Sequence, residues 1–219
     1  MSLTLFSFWR SSAAYRARIA LALKGLDFEI VPTDLGSPDY REGSYKEVNP
    51  QRKVPTLQHD DFILPQTLAI VEYLEEIKPE PTILPRDPRD RALSRSMAEM
   101  IACDIHPLNN SSVLRFMRKD LGVEKSALTT WYHHWLTEGF TGVEGMLARH
   151  QKSGPFAFDG RPTIFEIFLV PQVVNARLWD FPLDPYPRIV AIDAACREHD
   201  AFKLTAPPRQ PDAPPGVEQ

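Results

Sequence analysis

The chain has 219 residues, enough for one large domain or two modest ones with cores of their own. Its 43% hydrophobic and 25% charged residues suit a globular protein in water, and no apolar run reaches the length of a membrane span. A formal net charge of −4 offers no basic face for nucleic acid, so the expectation is a cytoplasmic protein with neither nucleic acid nor membrane as partner.

Leu3 to Phe8 alternates as a short half-buried strand, and Ser11 and Ser12 follow, each able to cap a helix start. Ile19, Ala22, Leu23 and Leu26 recur at helical spacing, and Gly25 closes the predicted helix as a C′ glycine. A strand running into a helix gathers unpaired N–H groups and two hydroxyls at one point, which suits an anion. Phe28 to Pro32 alternates as a second strand and completes a βαβ unit. Ser37 to Pro50 is polar and rich in turn residues, with a short helix expected near Tyr45. Val54 to Leu57 and Phe62 to Leu64 predict two strands joined through Gln58 to Asp61. Leu68, Val71, Leu74 and Ile77 then predict a helix over 66–78, ended by Pro79. Residues 1–80 read as one βαβ-ββα domain.

The prolines between Pro79 and Pro88 read as an interdomain linker, and no strand pattern follows it. Arg89 to Arg118 predicts a long helix kinked at Pro107. Lys125 to His150 predicts a second, with Leu128, Trp131, Trp135, Val143 and Met146 on its apolar side. Thr163 and Glu166 form a capping box at the head of a helix over 164–178 that is apolar nearly all round, so it should run through the centre of an all-α domain, 88–204. Trp131, Trp135 and Phe168 are expected in that core. A short helix over 187–198 follows, and residues 205–219, with five prolines, predict a poorly ordered, flexible tail. Cys103 and Cys196 lie far apart and read as buried thiols, and the adjacent His133 and His134 point about 100° apart on a helix, so no metal site is expected.

The run Arg10-Ser11-Ser12-Ala13-Ala14-Tyr15-Arg16-Ala17-Arg18-Ile19-Ala20-Leu21-Ala22-Leu23-Lys24-Gly25 resembles the zeta-class glutathione transferase signature R-S-S-C-S-W-R-V-R-I-A-L-A-L-K-G. Asn49-Pro50-Gln51, Val54-Pro55-Thr56-Leu57 and Gln66-Thr67-Leu68-Ala69-Ile70 resemble the next blocks of that class in order. The stretches from Cys103 to Asn110 and from Leu169 to Arg177 resemble its helical-domain blocks. The likeness spans nearly the whole chain except the tail. It departs at Ala13 and Ala14, where the class has Cys and Ser, at Thr67 for Ser, and at Glu166 for Asp.

The resemblance implies an α/β plus all-α architecture, a thioredoxin-like domain followed by a helical domain, and a homodimer. It also implies glutathione, because the position where thioredoxin-like redox enzymes carry C-x-x-C reads Ser11-Ser12-Ala13-Ala14 and has no sulfur of its own. A thiolate brought to a helix N-terminus is favoured by the helix dipole and by hydroxyl donors. Ser11 is the first choice as that donor and Ser12 the second. A cis Val54–Pro55 bond would turn the Val54 backbone toward the tripeptide, Gln66 and Thr67 would take its γ-glutamyl carboxylate, and Gln51 and Lys53, with Arg52, would reach its glycine end. The class isomerises maleylacetoacetate or maleylpyruvate by reversible thiolate addition to the cis double bond, rotation and elimination. Arg10 and Arg177 would pair with the carboxylates of this small acidic substrate, and His106 and Asn109 would line its pocket. Two other readings are a general glutathione S-transferase that conjugates electrophiles, and a non-catalytic glutathione-binding protein. The retained Ser11, Gln66, Thr67 and arginines argue against the second of these.

Overall fold

The computed structural model describes residues 2–37, 43–158 and 160–217. These divide into two compact units, Met1–Ile83 with Glu198–Gln219, and Leu84–Arg197.

The first unit is built on a four-stranded sheet in the order β2-β1-β3-β4. β1 (Leu3–Ser7) buries alternate residues, as its pattern requires, and leads through a turn into α1 (Ser12–Leu23). β2 (Glu29–Pro32) pairs with β1 in parallel, the outcome expected of a strand-helix-strand crossover. The expected loop over 37–50 includes residues 38–42, which lie outside the described residues, and the short helix α2 (Tyr45–Val48) forms where anticipated. β3 (Thr56–His59) runs antiparallel to β1 and to β4 (Phe62–Pro65), and Asp60, at φ 53°, makes the turn between them. β3 starts two residues later than its apolar pattern suggests, beyond the cis Val54–Pro55 bond. α3 (Thr67–Ile77) follows and buries Ile70, Val71 and Leu74.

The linker is not a free spacer. Lys24, fully buried at the end of α1, pairs with Glu75 at 2.6 Å and donates to the carbonyls of Pro79 and Pro81 at 3.3 and 2.8 Å. Glu75 in turn accepts from the Thr82 hydroxyl and, at 3.0 Å, from the Ile83 N–H. One buried ion pair therefore ties the linker to α1 and α3.

The second unit contains no strand among the described residues. The long helix expected over 89–118 is instead three pieces. α4 (Pro88–Glu99) passes into one stretch of π-helix, Met100–Ile105, and the chain turns before α5 (Ser111–Lys119). Pro107 has no N–H to continue the ladder, and Asn110 caps a new helix by accepting from Ser112 N–H. α6 (Lys125–His150) has the predicted bounds but turns Leu128, Tyr132, Leu136, Phe140, Val143 and Leu147 inward, so Trp131 and Trp135 are only half-buried. Gly139 and Gly142 admit this packing, since a Cβ there would run into Ile105 and Met100. α7 (Ile164–Leu178) is buried from Ile164 to Val173, Phe168 included, and opens with the Thr163–Glu166 capping box. α8 (Pro187–Glu198) completes the unit. Cys196 is buried as expected, whereas Cys103 is exposed on the π-helix.

The expectation of a flexible tail over 205–219 is corrected for its described residues, 205–217. α9 (Asp200–Thr205) and a turn of 3₁₀-helix at Pro207–Arg209 belong to the first unit, where Phe202 and Ala206 are buried. Tyr15 donates its hydroxyl to the Phe202 carbonyl at 3.0 Å, and Arg18 Nε donates to that of Thr205 at 3.1 Å. Low apolar content predicts disorder only where the backbone lacks partners, and here α1 supplies them. Among the described residues no helix is long and apolar enough to cross a membrane.

Candidate active site

The turn between β1 and α1 sets the position of Arg10, Ser11 and Ser12. Ser11 N–H donates to the Phe8 carbonyl at 3.0 Å, which closes the turn, and extended backbone at Ser11 starts the helix. The Ser11 Oγ accepts from Ala14 N–H at 3.2 Å. Capping uses a lone pair, so the Ser11 O–H hydrogen remains available to donate. Ser11 is half-buried, Ser12 buried and Arg10 exposed.

A second set of residues gathers around the cis Val54–Pro55 bond. Tyr45, Asn49 and Thr56 form a buried network: the Asn49 amide donates to Thr56 Oγ1 at 2.9 Å and to the Lys53 carbonyl at 2.8 Å, and Tyr45 donates to the same carbonyl at 2.7 Å. Asn49 Oδ1 accepts from Gln51 N–H at 2.9 Å. This network shapes the loop from Asn49 to Val54. Asn49, Tyr45 and Thr56 were not singled out from the sequence, although the Asn-Pro pair was a visible turn signal. Val54 is 9% exposed, and among the described residues its N–H and carbonyl have no hydrogen-bond partner. A backbone edge left open in this way can pair with an extended peptide.

Gln66 precedes α3 with φ 74° and ψ 116°, outside the regions comfortable for a side-chain-bearing residue. Such geometry costs about 1–3 kcal/mol and is typically held at functional sites. Its Nε2 donates to Gln51 Oε1 at 2.8 Å, which joins two of the expected glutathione contacts, and no side chain caps α3. The N–H groups of its first turn, beginning at Thr67, therefore face outward uncapped. Lys53 is exposed.

Residues of the sequence set that belong to the second unit have other engagements. Asn109 is buried and donates to the Tyr132 carbonyl at 3.3 Å. Its Oδ1 is buried without a hydrogen-bond partner, so the amide is engaged through its nitrogen alone. His106 is half-buried at the end of the π-helix. Arg177 pairs with Asp193 at 2.5 Å, leaving its side chain 37% exposed while that of Asp193 is fully buried. Burial pushes the Asp193 carboxyl above its usual range, and Arg177 draws it back. A raised folded-state pKa contributes stability below the unfolded value, near 3.9, that is lost as pH rises through the folded value. Arg177→Ala should therefore destabilise the protein by about 2 kcal/mol at neutral pH, a low figure for a broken pair because the guanidinium is partly solvated. The loss should shrink on acidification, as the Asp193 carboxyl, raised by burial, takes up a proton. Thermal melts from neutral to acidic pH test it, and an equal loss at both ends would reject it.

Arg16 and Arg18 were not expected to be buried. Both lie inside the first unit, and burial lowers their pKa values to about 9 and about 10, with Tyr15 and Asp212 opposing the shift at Arg18. Their place in a helix-forming run gave no sign of this.

The sequence profile of the glutathione S-transferase N-terminal domain matches residues 1–76. A maleylpyruvate isomerase from Ralstonia sp is 43% identical over 209 residues, 95% of this chain and 99% of that protein. The chain belongs to the zeta-class glutathione transferase family. A holo structure of maleylpyruvate isomerase, described as a bacterial zeta-class enzyme, superposes with a TM-score of 0.93 at 42% identity, covering 96% of this chain and all of the other. A maleylacetoacetate isomerase from Anaeromyxobacter dehalogenans 2CP-1, with glutathione bound in its active site, has a TM-score of 0.86 at 36% identity, covering 97% and 98% of the two chains. The zeta-class fold accounts for both the thioredoxin-like sheet and the helical unit.

Proposed function

We propose that the protein is a glutathione-dependent cis–trans isomerase of maleylpyruvate or maleylacetoacetate, as its zeta-class relatives are named. The observation that carries this is Ser11: it caps α1 with a lone pair and keeps its O–H for a thiolate, at a helix start with no sulfur of its own. The residues fit glutathione, because the unpaired Val54 backbone and the uncapped start of α3 call for a peptide-like ligand with a carboxylate.

Bound glutathione supplies a nucleophilic thiolate that adds reversibly to the conjugated double bond and permits rotation about it. Ser11 holds the sulfur in its ionised form, aided by the N-terminal end of the α1 dipole, with Ser12 as the second hydroxyl. Val54 pairs with the tripeptide backbone beside Pro55. Gln66 and Thr67 take the γ-glutamyl carboxylate, and Gln51, fixed by Gln66, takes with Lys53 the glycine end. Arg10 offers a fork to a substrate carboxylate. Arg177 keeps the same assignment from the family resemblance, and His106 that of a pocket residue. A homodimeric, cytoplasmic enzyme is part of the same proposal, supported by the family alone; sedimentation tests the dimer.

Turnover of each substrate with and without glutathione is the direct test. Isomerisation that depends on glutathione without consuming it is expected. Conjugation of a chloro-aromatic electrophile without isomerisation would instead identify a general transferase, and glutathione binding without either would identify a binding protein. Arg177→Ala should raise KM for the acidic substrate while glutathione affinity holds.

A further inference from the structure

We propose that Asp212 and Arg18 are positioning residues that clamp the turn before Ser11 from two sides, so that the C-terminal segment helps set the geometry of the thiol-activating hydroxyl. This rests on the role proposed above for Ser11.

The turn itself has little regular structure to hold it. Trp9 and Arg10 lie between β1 and α1, where Ser11 N–H bonds to the Phe8 carbonyl. Both peptide groups flanking Trp9 are nevertheless engaged. Its N–H donates to Asp212 Oδ2 at 2.9 Å, across 203 residues of chain, and its carbonyl accepts from Arg18 Nη2 at 3.1 Å. Arg18 Nη1 adds bonds to Ser7 Oγ at 2.8 Å and the Phe8 carbonyl at 3.4 Å, while Nε holds the Thr205 carbonyl at 3.1 Å. A planar guanidinium with four N–H groups committed in this way fixes the relative places of three successive residues, Ser7 to Trp9, and of the C-terminal segment. The segment is itself anchored around Asp212: Gln210 is buried and donates to the Ala206 carbonyl at 3.0 Å, and Ala213 N–H returns to the Gln210 carbonyl at 3.0 Å. The second oxygen of Asp212 is buried with no hydrogen-bond partner, and its charge lies within reach of the Arg18 guanidinium. A carboxylate so placed on a Pro-rich segment is costly unless its position matters, and what it holds is the peptide next to Arg10 and Ser11.

A hydroxyl displaced by a fraction of an ångström is a poorer donor, whereas the tripeptide contacts at Val54, Gln66 and Thr67 come from other elements. Asp212→Ala should therefore raise the pKa of the bound glutathione thiol, read from thiolate absorbance in a pH titration. It should lower kcat at neutral pH about five- to ten-fold, while the affinity for S-methylglutathione, which has no thiol to ionise, stays within about two-fold. Asp212→Asn, which keeps a carbonyl acceptor for Trp9 N–H, should restore most of both. Arg18→Lys, which keeps a buried cation and loses the fork, should shift the thiol titration in the same direction and gives the reading if Asp212→Ala does not fold. A thiol titration and kcat unchanged in Asp212→Ala overturn the clamp, whatever happens to the melting temperature. A wild-type protein that shows no thiolate band overturns the Ser11 reading itself.

Discussion

Replacing Ser11 with alanine is expected to lower kcat/KM about 100-fold, in line with the loss of one preorganised donor to a developing or stable anion. The glutathione thiol should titrate higher in the variant, so the pH–rate profile should move to alkaline pH and recover part of the activity there. The affinity for S-methylglutathione should barely change, because the contacts proposed for it come from the loop at Val54 and the start of α3. The same substitution also removes the N-cap bond to Ala14, a stability loss of about 1 kcal/mol. Ser11→Asp separates the two effects. Aspartate accepts from Ala14 N–H as well as serine does, but at neutral pH it has no O–H to donate and places a negative charge beside the sulfur. Stability should return to near wild type while activity falls below that of the alanine variant. If Ser11→Ala keeps a third or more of wild-type kcat/KM, the donor is not Ser11, and Ser12 becomes the residue to test.

The second large effect is on stability. Lys24→Ala should remove about 3–5 kcal/mol, because Glu75 would be left charged and largely enclosed with only neutral donors. For a chain of this size that is a fall in melting midpoint on the order of 10 °C. Glu75→Gln should cost less, since an amide oxygen still accepts from Thr82 or Ile83. A cycle of Lys24→Met, Glu75→Leu and the double variant should give a coupling energy above about 1.5 kcal/mol. The double variant should not recover fully, as the Pro79, Pro81, Thr82 and Ile83 groups lose their partners with the pair. A loss below about 1 kcal/mol for Lys24→Ala would mean that water or other donors replace the lysine, and the linker would not be clamped as described.

Local signals carried most of the fold. The β1–α1 junction, the hairpin of β3 and β4, and the capping box at Thr163 are short-range patterns in which neighbouring residues decide the outcome, and each forms as expected. Differences arose where helix phase or a local irregularity decides the outcome. Trp131 and Trp135 have the bulk of core residues, but the stripe that faces inward runs through Tyr132 and Leu136. Pro107 was expected to kink one helix, whereas the π-helix before it and the Asn110 cap after it end one helix and begin another. At the site, the residues that touch ligand in the proposed function were legible through the family blocks. The holding roles of Asn49, Arg18 and Asp212 were not, although Asn49 and Arg18 lie within those blocks, because hydrogen bonds to backbone leave no periodic trace.

The return of residues 198–217 to the first unit has a consequence for biosynthesis. As the chain leaves the ribosome, the sheet and α1 emerge early, but the partners of Tyr15, Arg18 and Trp9 are translated only after the whole of 84–197. Until then Arg18 lacks its bond to Thr205, and the Trp9 N–H lacks Asp212. The amino-terminal unit can collapse in the usual vectorial order, yet its β1–α1 turn lacks these partners until the later segment has been made. A nascent chain halted short of Thr205 would carry every residue proposed to bind glutathione, and would still be waiting for its final stretch to set the turn.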